Sequence, residues 1–138
     1  MNKKLLELEF DFDFKLIAIT SPLKDYRLCF VINKFTETDF RKDEDLEIEL
    51  KNKPKNYFSR YLYFPENTEC EFNFIANKGL DGYLIPEMKE VDFFIIIKEF
   101  IDEEDFDLFI SQLKKIKEIQ AVVEINPKII KSKDNLLF

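Results

Sequence analysis

No histidine occurs anywhere in the 138 residues. That removes the side chain best suited to proton transfer near neutral pH, and with it serine triads, cysteine–histidine dyads and ordinary zinc or haem sites. Cysteine is almost as scarce: Cys29 and Cys70 stand far apart with no CxxC spacing, which predicts two buried thiols rather than a bridge. The only glycines, Gly79 and Gly82, fall in one Asn-Lys-Gly-Leu-Asp-Gly turn whose spacing fits neither a Walker loop nor a dinucleotide-binding turn. No apolar run approaches the ~20 residues of a membrane-spanning helix. Positive charge is in deficit, with 21 Lys and Arg against 28 Asp and Glu, so the net charge of −7 argues against nucleic acid and anionic membrane as partners. Lys3 and Lys4 imitate the start of a signal peptide, but Glu7, Glu9, Asp11 and Asp13 interrupt the apolar region that should follow, so a cytoplasmic location is expected. Nothing in this inventory calls for a cofactor.

What is present in quantity is apolar side chain, 46% of residues and including sixteen phenylalanines, enough for a single domain over 1–138 to bury a core without disulfide or metal. The densest stretch is Phe93-Phe94-Ile95-Ile96-Ile97. Five large apolar residues in a row leave no polar face, and aromatic and β-branched types favour a strand covered on both sides. Just upstream, Pro86 lacks the N–H a ladder needs and pushes Ile85 to extended geometry, so a turn is expected near 85–90.

Around that centre the chain alternates short periodic segments with polar turns. Positions 6, 8, 10, 12, 14 and 16 are all apolar while the odd positions between them are charged, a half-buried strand whose acidic face, including Asp11 and Asp13, reads as solvated. Ser21-Pro22 has the order of a helix N-cap and first helical residue, predicting a helix with Leu23, Tyr26 and Phe30 on one side and Leu28, Val31 and Phe35 beside it. Strands are expected over 46–50, over 57–64 and over 70–76, joined by polar turns as an antiparallel meander. Asp102 is placed to cap a second helix with an acidic first turn, with Ile101 and Phe106 spaced as a hydrophobic staple and Phe106, Phe109, Ile110, Leu113 and Ile116 on one face. A last strand is expected over 119–125, and the apolar Leu136-Leu137-Phe138 should dock on the domain or on a second copy. The fold expected is α+β: an antiparallel, curved sheet of five to seven strands with two helices packed on one face.

The turn and the strand after it also carry a motif. Ile85-Pro86-Glu87, three residues, then Val91-Asp92-Phe93 resembles the signature of the bacterial IPExxxVDY family of small proteins, with Phe93 standing where the family has tyrosine. The missing hydroxyl leaves the ring's packing role intact. The likeness is confined to these nine positions, and it implies membership of a family without implying a reaction.

Two functional readings follow. The alternating segments leave more apolar surface than two helices can cover, above all at Tyr57, Tyr61 and Tyr63, which suggests a non-enzymatic interaction module meeting a protein partner or forming a homodimer. The alternative is a small-ligand binder or enzyme with a carboxylate site around Glu87 and Asp92, although carboxylates beside a turn more often accept N–H bonds. The interleaved bases and aromatics Lys51, Lys53, Lys55, Tyr57, Arg60 and Tyr61 look superficially like a single-strand platform, but a lysine-rich hairpin in an acidic chain is the simpler reading.

Overall fold

The computed structural model describes residues 13–49 and 54–138. Within them the order is β1 (Lys15–Thr20), α1 (Asp25–Thr36), β2 (Arg41–Lys42), β3 (Leu46–Ile48), β4 (Asn56–Phe58), β5 (Arg60–Tyr63), β6 (Glu71–Ala76), β7 (Phe93–Lys98), α2 (Glu103–Lys114) and β8 (Ala121–Ile125). Six strands form one antiparallel sheet in the order β2-β5-β6-β7-β1-β8, and β3 with β4 make a separate hairpin. The apolar run is β7, flanked by β6 and β1, and Phe93 to Ile97 are all buried.

Strand alternation divides that run between two cores. Phe93, Ile95 and Ile97 join Leu28, Cys29 and Ile32 of α1 and Phe106, Phe109 and Leu113 of α2 on one face. Phe94 and Ile96 join Leu46 and Phe58 of the hairpin, Leu84, Ile85 and Val91 of the β6–β7 connection, and Ile130 and Leu136 of the tail on the other. The α+β class and the packing of both helices on one face therefore stand as expected. The second face is closed by the short β3–β4 hairpin together with irregular chain, where the sequence named no covering element. Gly79 makes one such closure close-fitting: a Cβ there would lie 2.7 Å from the Tyr57 carbonyl oxygen and 2.9 Å from the Phe58 ring.

Several local expectations are corrected. β1 begins at Lys15, near the end of the alternation expected over 6–16, whose 6–12 portion lies outside the described residues; Leu16 to Ile19 are buried on both faces. α1 starts at Asp25, not at Pro22, because Ser21 is already engaged: its Oγ donates to the Glu118 carbonyl at 2.8 Å and accepts the Leu23 N–H at 3.3 Å. The buried side of α1 is Leu28, Cys29, Ile32 and Thr36, while Tyr26, Phe30 and Phe35 are exposed. The strand expected over 57–64 breaks at Ser59, its first part joining the hairpin and its second the main sheet. Asp102 occupies the N-cap position of α2 with extended backbone, but its side chain makes no capping bond. The tail docks as expected on the domain itself, with Leu136 fully buried and Phe138 packed against the second core under the Lys98 ammonium, 3.9 Å from its ring centroid. Both thiols are free and buried. Among the described residues no helix is long and apolar enough to cross a membrane.

Candidate functional site

Five of the six motif residues share one loop, and the sixth, Phe93, opens β7. Ile85 and Val91 are buried in the second core and Phe93 in the helix-side core. Pro86 opens a short 3₁₀ turn, Pro86–Met88, at a position where its missing N–H costs nothing. Beneath the loop lies Asn77, 0% exposed. Its Nδ2 donates to the Met88 carbonyl at 2.9 Å and the Val91 carbonyl at 2.8 Å, and its Oδ1 accepts the Ile85 N–H at 2.9 Å. Its backbone N–H donates to the Asp92 carbonyl and its carbonyl accepts the Leu84 N–H. One buried amide thus satisfies the Ile85 N–H and the Met88 and Val91 carbonyls, while the Met88 and Val91 N–H groups bond within the turn.

Glu87 and Asp92 do accept N–H bonds, and for both the partners include distant chain. Glu87 accepts from the Ser132 N–H at 2.7 Å and from Ser132 Oγ at 2.8 Å, tying the loop to the tail. Partial burial pushes the Glu87 carboxyl up, yet bonds from its own N–H, from Ser132 and from the Lys131 N–H outweigh it and hold the pKa below the ordinary value. Asp92 accepts the Ser21 N–H at 2.8 Å, tying the loop to the end of β1. The two carboxylates therefore serve separate partners, and neither lines the groove between α1, α2 and the β5–β6 hairpin.

The three tyrosines do not make one surface. Tyr57 is exposed on β4, whereas Tyr61, 8% exposed, and the half-buried Tyr63 point into or beside the helix-side core. Tyr61 belongs to a polar cluster unforeseen in the sequence: its hydroxyl donates to Asp25 at 3.2 Å, and Ser59 Oγ donates to the same carboxylate oxygen. Burial raises the Asp25 carboxyl, but the Ser59, Tyr26 N–H and Tyr61 bonds prevail and lower its pKa. Burial and the Asp25 charge push the Tyr61 phenol up to about 12, and burial with the charges of Asp25 and Asp39 does the same to the Cys29 thiol. These groups keep their protons at neutral pH, so the cluster joins the first turn of α1 to β5 and offers no activated nucleophile. Of the basic residues in the suspected single-strand platform, Lys51 and Lys53 lie outside the described residues, Lys55 pairs with Glu47 at 2.9 Å and Arg60 with Asp43 at 3.1 Å.

The concave feature with a predominantly apolar wall lies elsewhere. An open groove of about 280 Å³ runs between the C-terminal end of α1, the body of α2 and the β5–β6 hairpin, walled by Tyr63, Pro65, Phe72, Ile101, Leu108 and Phe109. Among the described residues, Glu37 and Asp105 are the charged ones that line it. Leu108 is 57% exposed, and Phe64 and Phe100, chain neighbours of wall residues, are 60% and 79% exposed. Periodicity identified Phe109 as buried, but nothing local marked Leu108 and Tyr63 as walls of one groove, because the β5–β6 hairpin and α2 meet only in the fold. Among the described residues no group of three or more acidic or thiol side chains is gathered as a metal site.

No protein-family model matches the chain, and no curated protein matches it either.

Proposed function

We propose that this protein is an interaction module, without an enzymatic role, whose partner is a protein segment that seats an apolar side chain in the groove between α1, α2 and the β5–β6 hairpin. The observation carrying this reading is the pairing of an apolar wall with an acidic rim: Tyr63, Phe72, Leu108 and Phe109 beside Glu37 and Asp105, with no Lys or Arg among the lining residues. In a chain of net charge −7 the fitting occupant is an apolar anchor flanked by Lys or Arg, since charge of opposite sign steers encounter and rejects acidic competitors. The groove holds one or two large side chains, the size of a hot-spot pocket rather than of a substrate site. We also propose membership of the IPExxxVDY family; in this reading the motif is the architecture of the turn, with Ile85 and Val91 as plugs and Glu87 and Asp92 as ties.

Affinity capture with the tagged protein from its native cells, compared with Leu108→Glu, tests the reading. Leu108 is exposed, so the fold tolerates the charge. The expected result is a partner retained by the wild type at physiological salt and lost with Leu108→Glu, but kept by a control charge change at Lys117. Equal retention by Leu108→Glu and wild type overturns it.

A further inference from the structure

The two edges of the main sheet are built differently. β2 is two residues long, Arg41 and Lys42, both exposed and basic, which blunts that edge against pairing. β8, Ala121–Ile125, has four apolar residues and Glu124, with no lysine, arginine or proline, and every residue is exposed or half-buried. Which of its backbone groups are free follows from the hydrogen bonds of β1. The Thr20 carbonyl accepts the Gln120 N–H at 2.8 Å, and the Ile19 carbonyl accepts the Asp92 N–H at 2.9 Å. Even positions of β1 therefore turn their backbone to β8 and odd positions to β7. With Leu16 opposite Ile125, Ala18 opposite Val123 and Thr20 opposite Ala121, the ladder uses the polar groups of 121, 123 and 125. Those of Val122 and Glu124 face away from the sheet, and among the described residues they meet no other element.

We propose that this edge pairs with β8 of a second copy of the chain, antiparallel and centred on Val123, so that two six-stranded sheets become continuous. A two-fold contact needs a patch complementary to itself, and this register supplies one. Val122 falls opposite the partner's Glu124, Val123 opposite the partner's Val123, and Ala121 opposite the partner's Ile125. Each Val122–Glu124 pair exchanges both of its N–H···O bonds, no acid stands directly opposite another, and Glu124 already has Lys15 Nζ 3.9 Å away. The second copy also covers Val123, 50% exposed. This contact does not rest on the groove, which adjoins β5 and β6 in the other half of the sheet.

Sedimentation equilibrium from low micromolar to several hundred micromolar protein tests it. The mass is expected to rise from 16.6 kDa toward twice that value in the wild type. Val122→Pro removes an N–H that the β1 ladder does not use, so the fold remains and the mass stays at 16.6 kDa throughout. Residue-resolved amide exchange supplies a readout that needs no variant: Val122 and Glu124 should slow at least tenfold with rising concentration, while Val123 is already slow in dilute solution. A wild type that stays monomeric, a Val122→Pro protein that dimerises as well as wild type, or Val122 and Glu124 amides that exchange fast at every concentration each overturn the proposal.

Discussion

Asn77 carries more of the motif loop than any residue in the motif. Three side-chain hydrogen bonds, two of them buried, join it to Ile85, Met88 and Val91, and all three belong to one turn. At about 1 kcal/mol net for each bond, Asn77→Ala should lower unfolding stability by about 3 kcal/mol, with added loss from carbonyls left without donors. Asn77→Asp is the sharper test. It keeps the shape but turns the two donated bonds into a carboxylate oxygen facing the Met88 and Val91 carbonyls, so it should be at least as destabilising at pH 7. Urea unfolding measures both, and an Asn77→Asp protein within ~0.5 kcal/mol of wild type, the scatter expected of an inconsequential substitution, rejects the hub. Nothing in the sequence singled Asn77 out. An asparagine after a strand reads as a turn former, and its partners lie 8 to 14 residues away, beyond the reach of periodicity.

At the level of elements, periodicity succeeded where one face of a segment is dry and failed where aromatics lie on both. α2 is legible because Phe106, Phe109 and Leu113 recur at helical spacing and are the residues buried. α1 misleads because Tyr26 and Phe30 are as apolar as its true core face, Leu28, Cys29 and Ile32. The pairing of loop to tail was equally hidden: Glu87 was expected to serve its own turn, and besides its own N–H it binds Ser132, 45 residues on. That tie has a pH signature. The folded pKa of Glu87 lies below its unfolded value, so its contribution is fully present above the unfolded pKa of about 4.3 and is lost as pH falls through the folded one. Because the carboxylate is largely exposed, solvent screening limits the effect to at most ~1 kcal/mol. Glu87→Gln should accordingly melt below wild type at pH 7 and converge with it at acid pH, below the folded pKa. A gap of equal size at both pH values assigns the loss to packing of the turn instead of to the charged hydrogen bonds.

For the whole molecule the governing fact is that β7 is buried from both sides by unlike layers, helices on one face and hairpin, loop and tail on the other. The five-residue apolar run foretold double coverage, since a strand with one wet face shows alternation and this one shows none. It did not foretell what covers the second face, because Leu84, Ile85, Val91, Ile130 and Leu136 are spread through irregular chain with no period to read. Adjacent residues of the strand therefore report on different cores. Ile95 faces α1 and α2, Ile96 faces the irregular layer, and both are 0% exposed. If the second layer is packed as densely as the first, Ile95→Ala and Ile96→Ala should each cost 2–5 kcal/mol, roughly the range for truncating a buried isoleucine, by calorimetry or urea unfolding. A layer of loosely held loops would instead collapse into the space, and Ile96→Ala would cost markedly less than Ile95→Ala. Near-equal costs would mean that loop and tail are integral to the core, which is what the ties from Asn77, Glu87 and Asp92 are built to secure.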